Sequence, residues 1–383
     1  DGERTSPGAG GGSGQIVVLD CESAGGLAGI RAFFYDGTPL ALDEGAVSKA
    51  EITTRDIHRG DYPHFFLKEV TESALSVRKT LRGKYRISRS AGGGRRVAFN
   101  LGEEVLPLRL RESLREGRIR RILVIGHGTA AVAGAAVADA FARHLKGSGI
   151  EVESKIASEL SGFSPDDDLA DALVIPVTQS GTTTDTNRAV AMAAEKGATI
   201  VSIVNRRQSD ITVKSHGVFY TSDGRDIEMS VASTKAFYSQ IVAGHILALN
   251  LAQLAGTLDD EAVAAELANL EEAPARMAEV VQGREAIRKC AEALYQKRYW
   301  AVVGSGPDKI AADEIRIKLS ELCYRTISSD VVENKKHIDL SAEPLILVCA
   351  AGSPETVLGD IAKDVAIFKG HKASVVVFAD AGD

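Results

Sequence analysis

The stretch Leu173–Thr186, LVIPVTQSGTTTDT, decides the reading of this chain. An apolar run, Ala172 to Val177, breaks at Thr178 into Gln179, Ser180, Gly181, Thr182, Thr183 and Thr184. A helical pattern follows from Asn187 to Lys196. That is a buried strand, a hydroxyl-rich turn and a helix N-terminus. A helix N-terminus presents free N–H groups and partial positive charge, and so suits an anion. Clustered Ser and Thr hydroxyls add neutral donors at the same place. The implied ligand is a phosphate held without Lys or Arg. A polar N-cap alone would need only one of these hydroxyls.

Outward from this stretch the α/β alternation is regular. Strands are expected at Ile122–Ile125, Glu151–Lys155, Ala172–Val177, Thr199–Asn205 and Val218–Thr221, with helices between them. This is the rhythm of a doubly wound parallel sheet. A polar helix pair, Asp259–Leu270 and Pro274–Lys289, leads to a second round with strands at Trp300–Gly304, Leu345–Cys349 and Ala373–Phe378. The rounds read as an internal repeat: Gly126-x-Gly128 matches Gly304-x-Gly306, and Gln179-Ser180-Gly181 matches Ala351-Gly352-Ser353. The second turn has lost most hydroxyls, so the first keeps the phosphate pocket. Short strands at Gln15–Asp20, Gly29–Tyr35 and Thr38–Leu42, with another at Val47–Thr54, make a β-rich start. Residues 60–85 hold an amphipathic helix with Leu67, Val70, Ala74, Val77 and Leu81 inward, and Lys68 and Glu69 on the polar side. Ser88–Arg96 reads as an exposed loop with a solvated Arg95-Arg96 pair. The domains are then a β-rich segment over 1–60, a linker helix and loop over 61–117, a first α/β domain over 118–257, connecting helices over 258–290, and a second α/β domain over 291–383. That last domain stops after a strand, an incomplete layer.

The 383 residues suffice for two or three cores. Net charge is −7, without the basic footprint of a nucleic-acid binder. Cys21, Cys290, Cys323 and Cys349 show no CxxC spacing, which implies a reducing compartment and no metal site. Residues 1–14 are polar and Gly-rich, unlike a secretory signal. Ala236–Gly256 is apolar enough to raise a membrane question. Its Gln240, His245, Asn250 and Gln253 make it a buried core helix, with His245 a satisfied interior histidine. No membrane association is expected, and the chain reads as cytoplasmic.

Three further motifs carry chemistry. Gly126-His127-Gly128-Thr129-Ala130-Ala131, with Glu153 on the next strand, fits a dinucleotide fingerprint loosely, but leaves Thr178–Thr186 unexplained. Ser230-Val231-Ala232-Ser233-Thr234-Lys235 opens the apolar helix. Ser233 or Thr234 caps it, or the turn closes over a ligand. Lys318 and Glu321 share one helix face at i, i+3, where a surface ion pair is the plain alternative. His337 follows Lys335-Lys336 in a polar loop.

Together these residues resemble a family. TQSGTTTDT resembles the SQSGETADT-type loop of sugar isomerase (SIS) domains. VASTKAF, Val231–Phe237, HFFLKEVTESALSVRKTLRG, His64–Gly83, and KLSELCY, Lys318–Tyr324, are similar to stretches of the isomerase half of glucosamine-6-phosphate synthases, the isomerising glutamine:fructose-6-phosphate aminotransferases. The β-rich start resembles the end of the glutaminase domain that precedes that half. The resemblance implies two tandem SIS domains, no cofactor, and a sugar phosphate ligand, fructose 6-phosphate or glucosamine 6-phosphate, in UDP-N-acetylglucosamine biosynthesis. It implies a glutaminase domain as ammonia source and a homodimer or larger assembly. By position, Thr129, Thr178, Gln179, Ser180 and Thr183 would hold phosphate and sugar hydroxyls. Val231 and Ser233 would line the sugar. Glu321 would move the proton between C1 and C2, with Lys318 beside it, and His337 would open the ring from a neighbouring subunit. This chain differs from the family at His127 and Ala130, where the family has Cys and Ser, at Thr182, which replaces an acid, and at Ile338-Asp339, where the family has Gly-Pro. The family's glutaminase nucleophile and Schiff-base lysine have no counterpart among these residues. Two rival activities keep the fold: a deglycase of phosphorylated amino-sugar adducts, and a non-catalytic sugar-phosphate sensor.

Overall fold

The computed structural model describes residues 15–47, 57–89, 92–163, 168–337 and 342–380. The chain forms two compact units, Asp1–Thr54 and Arg55–Asp383. In the first, β1 (Gln15–Leu19), β2 (Ile30–Phe34) and β3 (Pro39–Leu40) make an antiparallel sheet in which Gln15 faces Phe34. Of the strand expected at Val47–Thr54, only Val47 is described, and it is unpaired; the rest lies outside the described residues.

The second unit opens with α1 (Phe65–Leu81) and a hairpin, β4 (Tyr85–Arg89) and β5 (Arg95–Phe99). The hairpin corrects the expected loop over Ser88–Arg96. Arg95 is not merely solvated: its backbone N–H and Nε both donate to the Glu261 carboxylate, at 2.5 and 2.7 Å. After α2 (Leu108–Arg115) come β6 (Arg121–Gly126), α3 (Thr129–His144), β7 (Glu151–Ile156), α4 (Ala157–Phe163), β8 (Ala172–Thr178), α5 (Thr184–Glu195), β9 (Thr199–Val204), α6 (Asp210–Lys214) and β10 (Gly217–Tyr220). The five strands pair in parallel, in the order β10-β9-β8-β6-β7. Every residue of the central β8 is buried. Alternation sends Leu173, Ile175 and Val177 against α3 and the core helix α7 (Lys235–Ala255), while Ala172 and Val174 meet Ala189, Val190 and Ala193 of α5. Both faces are covered, which is why the strand reads as an unbroken apolar run.

The helix α8 (Asp260–Gln282) runs unbroken through the buried Pro274, where two helices were expected, forfeiting one backbone hydrogen bond. Then follow α9 (Arg284–Leu294), β11 (Trp300–Gly304), α10 (Asp308–Cys323), β12 (Ser328–Asp330), α11 (Val332–Lys335), β13 (Leu345–Cys349), α12 (Glu355–Gly370) and β14 (Ser374–Phe378). These strands form a second parallel sheet, β12-β11-β13-β14. Matching β6 with β11 and β8 with β13 gives both sheets the same strand order. β12 is an unexpected addition: its three polar residues carry no strand signal, and it is recruited by pairing with β11. No helix among the described residues is long and apolar enough to cross a membrane.

Candidate functional site

The carboxyl end of β8 turns through Gln179–Thr182 into α5. Gly181 sits at φ +69°, and a Cβ there would lie 2.1 Å from the Ser209 hydroxyl, so only glycine fits this corner. The loop's carbonyls are tied inward. Asn187 Nδ2 donates to Gly181 O at 3.0 Å and to Thr183 O at 3.1 Å, and the Ile211 and Arg206 amides hold Gly181 O and Gln179 O. The donors are what remain. Ser180 Oγ accepts from the Thr182 amide at 3.3 Å and the Thr182 hydroxyl at 3.0 Å, which leaves its own O–H to donate. Thr183 occupies the N-cap of α5 but its side chain makes no cap hydrogen bond, so the hydroxyl is not consumed by its own helix.

A cavity of about 220 Å³ opens over this corner, lined by His127, Thr129, Ala130, Thr178, Gln179, Ser180, Thr183, Val231, Ser233 and Glu321. Among the described residues no Lys or Arg lines it. The structure thus brings together the β6–α3 turn, the β8–α5 turn, the turn before α7 and the far end of α10. Lys318, one helical turn before Glu321, donates from Nζ to Thr129 Oγ1 at 2.6 Å. Its ionic partner is Glu314, at 2.6 Å, rather than Glu321. Glu314 is almost fully buried, and burial raises its carboxyl pKa against the pull of Lys318. His337 stands apart: it is exposed in the turn after α11 and does not line the cavity. Ile338 and Asp339 lie outside the described residues.

Sequence reasoning missed the carboxylates that build the third wall. Glu69, assigned to the polar face of α1, is buried, and its Oε1 accepts from the amides of Met229 and Ser230 at 2.6 and 3.1 Å. Glu228 caps α7, accepting from the Thr234 and Ala236 amides at 2.7 and 3.0 Å and from Ser233 Oγ at 2.7 Å. Neither Ser233 nor Thr234 is the side-chain cap, because Glu228 takes that role and holds the Ser233 hydroxyl at the cavity wall. In the sequence His127 stands out only as part of a glycine motif and as a departure from the family's Cys. Its Nε2 is buried and has no hydrogen-bond partner among the described residues. Glu153, the acid of the dinucleotide reading, lies on the edge strand β7 paired with Lys155, away from the cavity.

A hydroxyl-lined strand-to-helix corner facing a carboxylate on α10, a helix beside the second sheet, is a geometry with relatives. Residues 118–250 match the model of the SIS domain. The chain therefore contains a SIS domain, and its β6 to α7 form it. Against curated proteins the chain is 31% identical over 360 residues to the isomerising glutamine–fructose-6-phosphate aminotransferase of Streptomyces coelicolor, covering 93% of this chain and 55% of that protein. It is 29% identical over 329 residues to the protein of the same name from Caldanaerobacter subterraneus, covering 85% and 50%. The chain spans about half the length of the curated relatives it matches. In fold it is similar to the C-terminal domain of glucosamine-fructose-6-phosphate aminotransferase from Francisella tularensis, with a TM-score of 0.71 at 23% identity over 85% of this chain and 86% of that one.

Proposed function

We propose that this chain binds a hexose 6-phosphate and carries the isomerase step of a glutamine–fructose-6-phosphate aminotransferase, with two tandem SIS domains over 118–257 and 291–383. The β-rich 1–60 is then the end of a glutaminase domain, whose ammonia meets the sugar. One observation carries the reading: a single cavity is lined by the hydroxyls of Thr178, Ser180 and Thr183 and by the carboxylate of Glu321. In this reading the phosphoryl group takes donors from Ser180, Thr183, Gln179 and the first turn of α5, while Thr129 and Ser233 meet sugar hydroxyls and Val231 covers the ring. Binding energy from the remote phosphate fixes the reacting carbons at Glu321. One carboxylate near both C1 and C2 suffices to lift a proton from one and return it to the other. Lys318, shared between Thr129 and Glu314, keeps a positive charge beside the developing enolamine oxygen. His337, exposed in its own chain, would open the hemiketal ring in a neighbouring copy, which makes the working form at least a dimer.

The experiment is thermal unfolding of the chain with millimolar fructose 6-phosphate or glucosamine 6-phosphate. Mass action predicts a higher melting temperature with either sugar phosphate and no shift with unphosphorylated fructose. No protection by either would contradict the reading.

A further inference from the structure

Far along α3 from the sugar cavity, three ligating side chains from three helices converge. His144 is the last residue of α3, His245 lies mid-way along α7, and Glu266 follows two turns into α8. The Nε2 atoms of the two histidines are 2.9 Å apart, and His245 Nε2 is 3.8 Å from Glu266 Oε2. One ligand atom from each of the three lies within 4.8 Å of the others. Fifteen residues of helix put this cluster about 20 Å from Thr129.

We propose that His144, His245 and Glu266 bind a transition-metal dication of the zinc class, which clamps α3, α7 and α8 together. An ion about 2.1 Å from each of its tetrahedral ligands needs ligand atoms about 3.4 Å apart, and the 2.9 and 3.8 Å separations at His245 bracket that value. Two imidazoles and a carboxylate are a zinc or cobalt donor set rather than a calcium or magnesium one. Three protein ligands leave a fourth position for water. In the sequence the cysteine spacing points to no metal and His245 reads as a satisfied interior histidine, because its neighbour His144 lies 101 residues away.

The helices are built to hold this geometry. A Cβ on Gly244 would lie 2.3 Å from Val137, so glycine lets α7 approach α3 closely just beside His245. Val137 and His144 share a face of α3, two turns apart. The Thr257 hydroxyl donates to His144 O at 2.7 Å and ties the α7–α8 turn to the end of α3. His144 sits at a helix C-terminus, where the dipole favours a cation. Among the described residues no Lys or Arg pairs with Glu266, so its charge is left for an ion. His144 is buried while His245 and Glu266 reach the rim, which gives an ion a way in.

The test is titration of the untagged, chelator-stripped chain with Co2+ and then Zn2+, followed by absorption and thermal unfolding. The proposal expects one equivalent of Co2+ to develop visible bands stronger than those of the aquo ion, displaced by Zn2+, with a rise in melting temperature. Glu266→Gln, at a half-exposed site that should not disturb folding, should weaken binding by at least about tenfold. His245→Ala should abolish the bands. If the unmodified chain shows neither bands nor a thermal shift, the histidines are only a hydrogen-bonded pair and the proposal fails. It fails equally if the bands persist undiminished in Glu266→Gln and His245→Ala, since the ion then sits elsewhere.

Discussion

At the end of β8 the chain turns through Ser180, Gly181 and Thr182 into α5. At the corresponding end of β13 it turns through Ala351, Gly352 and Ser353 into α12. The two corners share a strand, a glycine and a helix N-terminus, yet their donors meet different partners. In the first, the hydroxyls of Ser180 and Thr183 line an open cavity, and among the described residues the carboxylate lining it is that of Glu321. In the second, the chain fills the place itself: the Gly352 amide donates to Asp380 Oδ2 at 2.7 Å, and the Ser353 hydroxyl donates to Asp308 Oδ2 at 2.9 Å. Burial and the neighbouring Asp380 raise the pKa of Asp308, the cost of two acids sharing one corner. One scaffold therefore yields an open corner or a closed one according to whether its own carboxylates reach the donors. With its own corner closed, the second half contributes Glu321 to the first half's cavity, and Lys318 bonds the Thr129 hydroxyl that lines it.

Breaking that comparison at Glu321 should have the largest effect. Glu321→Gln in the complete enzyme should lower turnover by about 10²–10⁴-fold, the usual worth of a positioned general base. Sugar-phosphate affinity should be nearly unchanged. A sensor would tolerate the change. Next, Ser180→Asp should copy the second corner into the first. A carboxylate about 4 Å from a phosphate opposes it by a few kcal/mol at the effective dielectric of a protein surface. Calorimetry should therefore show affinity reduced on the order of 100-fold or more.

Lys318→Met removes the partner of a buried carboxylate and should cost on the order of 3 kcal/mol at neutral pH, read by denaturant unfolding. The sign with pH is fixed by Glu314. Its folded pKa already lies above its ordinary value and rises further without Lys318. The loss should therefore be small near pH 4.5 and grow as pH rises through the folded pKa. The smallest effect is at Ser353. Ser353→Ala should cost about 1 kcal/mol of stability and leave sugar-phosphate affinity unaltered, which separates the closed corner from the open one.

Much of this was legible in the sequence because it is local. The β8 run, the glycine at the corner and the helix start are contiguous, and buried parallel strands announce themselves as unbroken apolar segments. The second run of apolar segments, Trp300–Gly304 and Leu345–Cys349, made the second sheet legible in the same way. What escaped depends on distant pairing. Glu69 looks like a surface residue by helical period, but it is buried because a loop about 160 residues away needs its oxygen. The β4–β5 hairpin hides in Ser, Gly and Arg because one face of it stays exposed while Val97 packs on α8 residues Val263 and Leu267. The convergence of His144 with His245 needs a helix crossing that no spacing reports.

The account rests most on the corner at residue 180, and the most direct measurement is a crystal structure of the chain with glucosamine 6-phosphate. It predicts the phosphoryl oxygens within hydrogen-bond distance of Ser180 and Thr183 and of the first-turn amides of α5, with C1 and C2 facing Glu321. A sugar phosphate seated at Gly352–Ser353, or found only against surface lysines, would contradict it.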